Sequence, residues 1–294
     1  MTLSIKSGGV NLFDPSQIAS RSAEAIRNLS SQQIASLDQY QIAALSQTQI
    51  SAIDPNKFAA LNAQQVGSIT ASQGAAITAK DLAFMISQIK SLRTEVVANL
   101  KAEELSKLNT YALSALTSSQ IANLGTTQLA ALTPSQISAL NSKQISAFTQ
   151  SQLDNLTPTQ IGGISPSALN GLSDTSISRL TAAQLKGLSR TQISGLQASK
   201  VAAMSSTQIS QLTSDQIAGV SADGLNTFTT DEIASLSTAQ IGALTSNQLN
   251  GLQVNKVAAF TSAQISQLTS AQIAGITSDG LNTFSTSEMA SLTA

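Results

Sequence analysis

Thr133-Pro134-Ser135-Gln136-Ile137-Ser138-Ala139-Leu140 is one copy of an eight-residue unit that recurs through most of this 294-residue chain. The unit reads (S/T/D/N)-x-x-(Q/E/K)-(I/L/V)-x-x-(L/F/M/I). All five prolines, Pro15, Pro55, Pro134, Pro158 and Pro166, fall three residues before the first apolar position, each behind Asp, Thr or Ser. A hydroxyl or carboxylate cap, proline at the first helical position and glutamine at the third together spell a helix start. Working outward from this copy, the first apolar position falls at Ile18, Ile26, Ile34, Ile42, Ile50, Phe58, Val66, Gly74 and Leu82. After one skipped residue it resumes at Ile89, Val97, Leu105, Leu113 and Ile121, then at every eighth residue to Met289. Nine units precede the skip and twenty-six come after it, thirty-five in all.

The second apolar residue comes three after the first, as in Ile137 and Leu140. Residues three apart share a helical face but point to opposite faces of a strand, which argues against a β-solenoid. One continuous helix is also ruled out. Eight residues advance about 800°, so the apolar stripe would drift by roughly 80° per unit. The expected fold is therefore all-α, a solenoid or superhelix of about thirty-five short, capped helices of one to two turns. One Ile and one Leu do not offset the conformational entropy of eight residues, so a unit is stable only when stacked on its neighbours. Ala, Ser, Gly or Asn between the apolar pair predicts close helix-to-helix approach.

The pattern divides the chain into four segments. Residues 1–13 carry no octad and read as a strand or end cap. Residues 14–78 form a first octad solenoid. Residues 79–108 hold the skip and nine of the thirty-one charges, and several expected caps are missing. Leu82, Met85, Ile86, Ile89, Leu92, Val96 and Leu100 keep spacings of three and four there, which predicts one or two longer amphipathic helices capped by Thr78. Residues 109–294 form a second octad solenoid. Within it, 180–235 and 236–291 align without gaps at 34 of 56 positions, with 124–179 a weaker third copy. Duplication explains the block length. The sharper expectation is that seven octads complete whole superhelical turns.

Chemistry is harder to place. Histidine, cysteine and tryptophan are absent, charged residues are 11% and the net charge is −1. Thiolate chemistry, disulfides, imidazole metal sites and the commonest general base are thereby removed. There is no basic stripe for phosphates, so nucleic acid is not an expected partner. No apolar run approaches membrane-spanning length. No cofactor, metal or catalytic residue is assigned, and the chain reads as a non-enzyme. Asp223-Gly224 and Asp279-Gly280 lack the spaced ligands of a calcium loop and read as cap variants. Lys200 and Lys256 stand where glutamine would be.

Strings such as Leu132-Thr133-Pro134-Ser135-Gln136-Ile137-Ser138-Ala139-Leu140 and Leu236-Ser237-Thr238-Ala239-Gln240-Ile241-Gly242-Ala243-Leu244 resemble the L-T-x-x-Q-I-x-A-L tracts of large bacterial secreted or surface repeat proteins. These are often labelled adhesins or haem-utilisation proteins. The resemblance covers most of residues 26–292 outside the joint. It implies an extracellular or cell-surface location and a role in adhesion, biofilm matrix or filament formation. A haem role lacks His and Cys ligands here.

The expected function is a structural repeat protein that forms or joins an extracellular bacterial filament or matrix by head-to-tail self-association. The sequence stops at Leu292-Thr293-Ala294 in mid-unit, so the ladder is expected to receive another copy, with Met289, Leu292, Ile18, Ile26 and Leu29 as contact candidates. No charged-then-apolar leader opens the chain, which suggests leaderless export, with the cytoplasm as the alternative compartment. The second reading is a solenoid adhesin or binding scaffold that captures a peptide or glycan. Its docking residues would be Lys90, Arg93, Glu95, Lys101, Glu103 and Glu104, in the irregular joint.

Overall fold

The computed structural model describes residues 14–292. Among them are thirty-three short α-helices and two 3-10 helices (Pro55–Ala60 and Ile89–Ser91), with no strand. Each element corresponds to one octad of the sequence. The all-α solenoid of short capped helices is what forms.

The helix Pro134–Ser138 shows why the unit folds as it does. Thr133 Oγ1 accepts the Gln136 amide at 3.2 Å, and Gln136 Oε1 accepts the Thr133 amide at 2.8 Å. This reciprocal box satisfies two of the orphan donors at the helix start. The Leu140 amide closes a last turn on the Ile137 carbonyl at 3.1 Å. Beyond it the chain is extended through the next cap, as at Thr149, with φ −69° and ψ 157°. Helix and extended step alternate, so the apolar pair returns to the same side in every unit. Both positions of that pair are almost uniformly buried, from Ile18 and Ile26 onward.

The described residues fall into two compact units. One lies within Met1–Leu140 and Ala147–Asn155, the other within Asn141–Ser146 and Leu156–Ala294. Both use the same stacking rule. A helix packs on the helix three octads away, as Ala102–Lys107 does on Thr126–Ala130 and Ala198–Ala202 on Ala222–Leu225. Its glutamine reaches four octads back. Gln136 Nε2 donates to the carbonyls of Leu105 at 2.8 Å and Leu108 at 2.7 Å. Gln73, Gln120, Gln216 and Gln264 repeat the same pair of bonds 31 and 28 residues back. Each octad thus straddles the seam between the third and fourth octads before it. A coil therefore closes in about three and a half octads, the 28-residue spacing of the shorter bond.

Close approach needs the small residues of the repeat. A Cβ on Gly187 would stand 2.3 Å from the Pro158 carbonyl oxygen, and one on Gly219 would stand 2.7 Å from that of Arg190.

The longer helices expected over 79–108 do not form. Thr78 does cap a helix, boxed with Asp81, but the segment divides into Ala79–Phe84, Ile89–Ser91, Thr94–Ala98 and Ala102–Lys107. The three-and-four spacing that suggested a continuous stripe has another origin. Leu82 with Met85, Ile89 with Leu92, and Val97 with Leu100 are the apolar pairs of consecutive octads, all buried. A seven-residue step between the first two of these pairs imitates helical periodicity. The strand or cap expected at 1–13 lies outside the described residues.

Candidate functional site

The irregular segment is the best candidate because its side chains depart from the repeat. The skipped residue is a cap. Met85 serves as the second apolar residue of one octad and also stands where the next octad would place Ser or Thr. The Met85 amide is already bonded to the Asp81 carbonyl at 3.0 Å. Gln88, the glutamine of the shortened octad, consequently has a buried Oε1 with no partner among the described residues. The starts at Gln88, Arg93 and Lys101 all lack a side-chain cap bond.

Charged residues, Arg93 and Lys101, stand at two of these uncapped starts. Glu104 Oε2 accepts the Ala79 amide at 2.9 Å. Lys107 Nζ lies 2.5 Å from Glu103 Oε1 and 3.4 Å from Glu104 Oε1. The lysine's hydrogen bond holds Glu103 below the usual carboxylate range, and the same bond raises Lys107. Arg93 donates to the Ile69 carbonyl at 3.0 Å and pairs loosely with Glu95 at 3.4 Å. Asp81 stands in the glutamine position and is buried. Burial pushes its carboxyl up, the Thr78 bonds oppose this, and nearby Glu104 adds to the rise.

Two open grooves share Thr78 and Glu104. One, of about 360 Å³, is lined by Gln47, Thr48, Ser51, Lys101 and Glu104 among others. The other, of about 520 Å³, is lined by Lys80, Ala83, Glu104, Lys107 and Asn109 among others. Of the six expected docking residues, the structure brings Lys101 and Glu104 to these grooves. Glu103 faces solvent beside them, and Lys90, Arg93 and Glu95 line neither. Lys80, Lys107 and Asn109 were not anticipated, although Lys107 stands four residues after Glu103, the spacing of a helical ion pair.

The residues expected to meet a second copy are scattered in exposure. Ile18, Ile26 and Leu29 are buried within the chain, whereas Met289 is 41% exposed and Leu292 half-buried. The helix Thr286–Ser291 buries none of its residues.

The glutamine rungs were also missed, since the sequence suggested only the capping half of their role. Lys256 shows the two halves separated. Its ammonium bonds the Phe228 carbonyl, 28 residues back, while Gln253 at the helix start has no side-chain cap bond. Lys200 instead pairs with Asp174 at 2.7 Å. At Asp223-Gly224, Ser221 Oγ accepts the Gly224 amide at 3.0 Å, and a Cβ there would crowd Val220 and Val201. That motif is a cap variant.

Among the described residues no group of three or more Asp or Glu is placed to hold a metal ion. No described helix is long and apolar enough to cross a membrane. A family model described as the ALTTAQ repeat matches residues 97–134, 122–158 and 221–254. No curated protein matches the chain. Over those three stretches, which total less than half its length, the chain is similar to the ALTTAQ repeat, and its role as a repeat protein rests on that match together with the stacked octads.

Proposed function

We propose that this structural repeat protein builds an extracellular bacterial filament or matrix by stacking copies head to tail. The observation that carries the reading is the polarity of the rungs. One side of every regular coil offers glutamine amides and the other offers carbonyls, as Gln216 does to Leu185 and Leu188. Two coils from different copies can meet as neighbouring coils of one chain do. Such a contact is heterologous and extends without closing. The 56-residue blocks repeat their surface as faithfully as their core, which suits a spacer or polymer better than a specific receptor. Placement outside the cell rests on the tract resemblance.

Electron microscopy and light scattering on purified protein provide the test. Filaments that lengthen with concentration are expected. Gln17→Glu keeps the box with Asp14 but removes the amide donors, and Met289→Lys charges an exposed apolar residue. Both should shorten filaments without altering the circular dichroism. A monodisperse monomer at high concentration overturns the reading.

The grooves at 79–108 favour a second reading, a scaffold that captures a peptide or glycan. There, Lys101→Glu with Lys107→Glu should abolish binding to bacterial or host cell surfaces, and unchanged binding would exclude the joint as the docking face.

A further inference from the structure

We infer that a groove around Tyr40 binds a neutral saccharide. In a chain with 3% aromatic residues, Tyr40 leaves 66% of its surface exposed. It occupies the second helical position of Gln39–Ala44, where most octads carry Ser, Thr or Ala. The helix Ala63–Ser68, packed against it, carries Gln64 at the equivalent place. A groove of about 220 Å³ runs between them, lined by Tyr40, Gln39, Gln64, Asp38, Asn62 and Leu37 among others.

The polar inventory of this groove fits hydroxyl groups. Gln64 Nε2 donates to Gln39 Oε1 at 2.8 Å, which leaves Gln39 Nε2 and Gln64 Oε1 as an adjacent donor and acceptor without partners among the described residues. Asp38 uses Oδ1 for the Tyr40 and Gln41 amides at 2.9 Å each, and its second oxygen remains an acceptor. Asn62 uses its oxygen for the Gln65 amide at 3.0 Å and keeps its NH2. Neighbouring donors and acceptors beside an aromatic face suit vicinal hydroxyls and the C–H face of a sugar ring. The lining carries one carboxylate and no cation, which disfavours an anionic ligand. Leu37 is buried, so the groove offers little apolar surface to a peptide side chain.

The full chain would be run in native gels containing an α-glucan, a β-glucan, a galactomannan or dextran sulfate. Retardation by at least one neutral polymer is expected. Tyr40→Ala should weaken it at least tenfold with the circular dichroism unchanged, and Gln64→Ala should weaken it severalfold. Tyr40→Phe and Tyr111→Ala should bind as the parent does; Tyr111 is 72% exposed but outside this groove. No retardation by any neutral polymer, retardation by dextran sulfate alone, or full binding by Tyr40→Ala would each overturn the inference. Filament formation by Tyr40→Ala should be intact, which separates this site from the polymer reading.

Discussion

At the scale of single residues, glutamine takes the part that a larger core plays elsewhere. Gln136 is 4% exposed, accepts one bond through Oε1 and donates through Nε2 to the Leu105 and Leu108 carbonyls, with a longer bond to that of Ser106 at 3.3 Å. Those partners are a helix-start amide and carbonyls at the end of a helix four octads away, where Leu105 also accepts the Leu108 amide at 3.1 Å. Glutamate separates the two roles, because Glu232 and Glu288 still box with Thr229 and Ser285. Gln136→Glu should therefore keep its cap, abolish the rung and lower stability by about 1–3 kcal/mol or more, read as faster amide exchange around 105–108. Asp81 supplies a pH test. Its folded pKa is raised above 3.8, so its stabilising contribution is fully present below 3.8 and lost as pH rises through the raised value. Asp81→Asn should melt higher than the parent at neutral pH, and the difference should vanish in acid below 3.8. Equal melting of the two proteins at every pH would contradict this account.

Among the helical elements, start signals matter more than length. Five residues suffice for Pro134–Ser138 because a box closes its start and the same glutamine ties it to the carbonyls of Leu105 and Leu108 on a neighbouring coil. Where the joint loses a start signal, the buried Oε1 of Gln88 loses the amide it would accept. Inserting Ser between Met85 and Ile86 restores the missing cap and supplies that amide. A local gain of about 1 kcal/mol is expected, visible as slower exchange at 86–89. Spacing between elements is tested by a pair of glycines. Gly187→Ala must displace the Pro158 carbonyl and should cost about 1–3 kcal/mol. Gly242 would meet nothing within 4 Å, so Gly242→Ala in the helix Thr238–Gly242 should be neutral or stabilising by up to ~1 kcal/mol. Thermal melting of the two variants decides this. The composition of the joint was legible in its charges and lost caps. Its break into short helices was not, because Leu82, Met85, Ile89 and Leu92 satisfy a continuous helix and two octads equally well.

For the whole molecule, the 28-residue coil explains the 56-residue block. Two coils hold seven octads, so contacts made by non-repeating side chains recur only after 56 residues within the second unit. Asn170 Nδ2 bonds the Gly195 carbonyl at 2.7 Å, and Asn226 bonds that of Gly251 at 2.9 Å. Ser206 reaches Glu232 as Ser262 reaches Glu288, at 2.8 and 2.9 Å. The sharper expectation, that seven octads complete whole turns, thus has a structural basis. Deleting 180–235 preserves both phases and should leave helicity per residue unchanged, with a modest fall in melting temperature. Inserting four residues after Leu212 shifts the octads by half a unit and should expose amides on both sides of the insertion. Circular dichroism and hydrogen exchange measure both outcomes.

Helix starts, the eight-residue period and the paired apolar columns were determined by the sequence alone. They are local: cap, proline, glutamine and the apolar pair lie within eight residues, and their hydrogen bonds close inside that window. Only the tertiary structure decided how many octads make a coil, and with it the second role of Gln136, the need for glycine at 187 and the grooves beside Glu104. Those features depend on residues one or more coils apart in the sequence. Their separation is set by how the short helices and extended steps accumulate twist, a geometric sum that no single octad encodes.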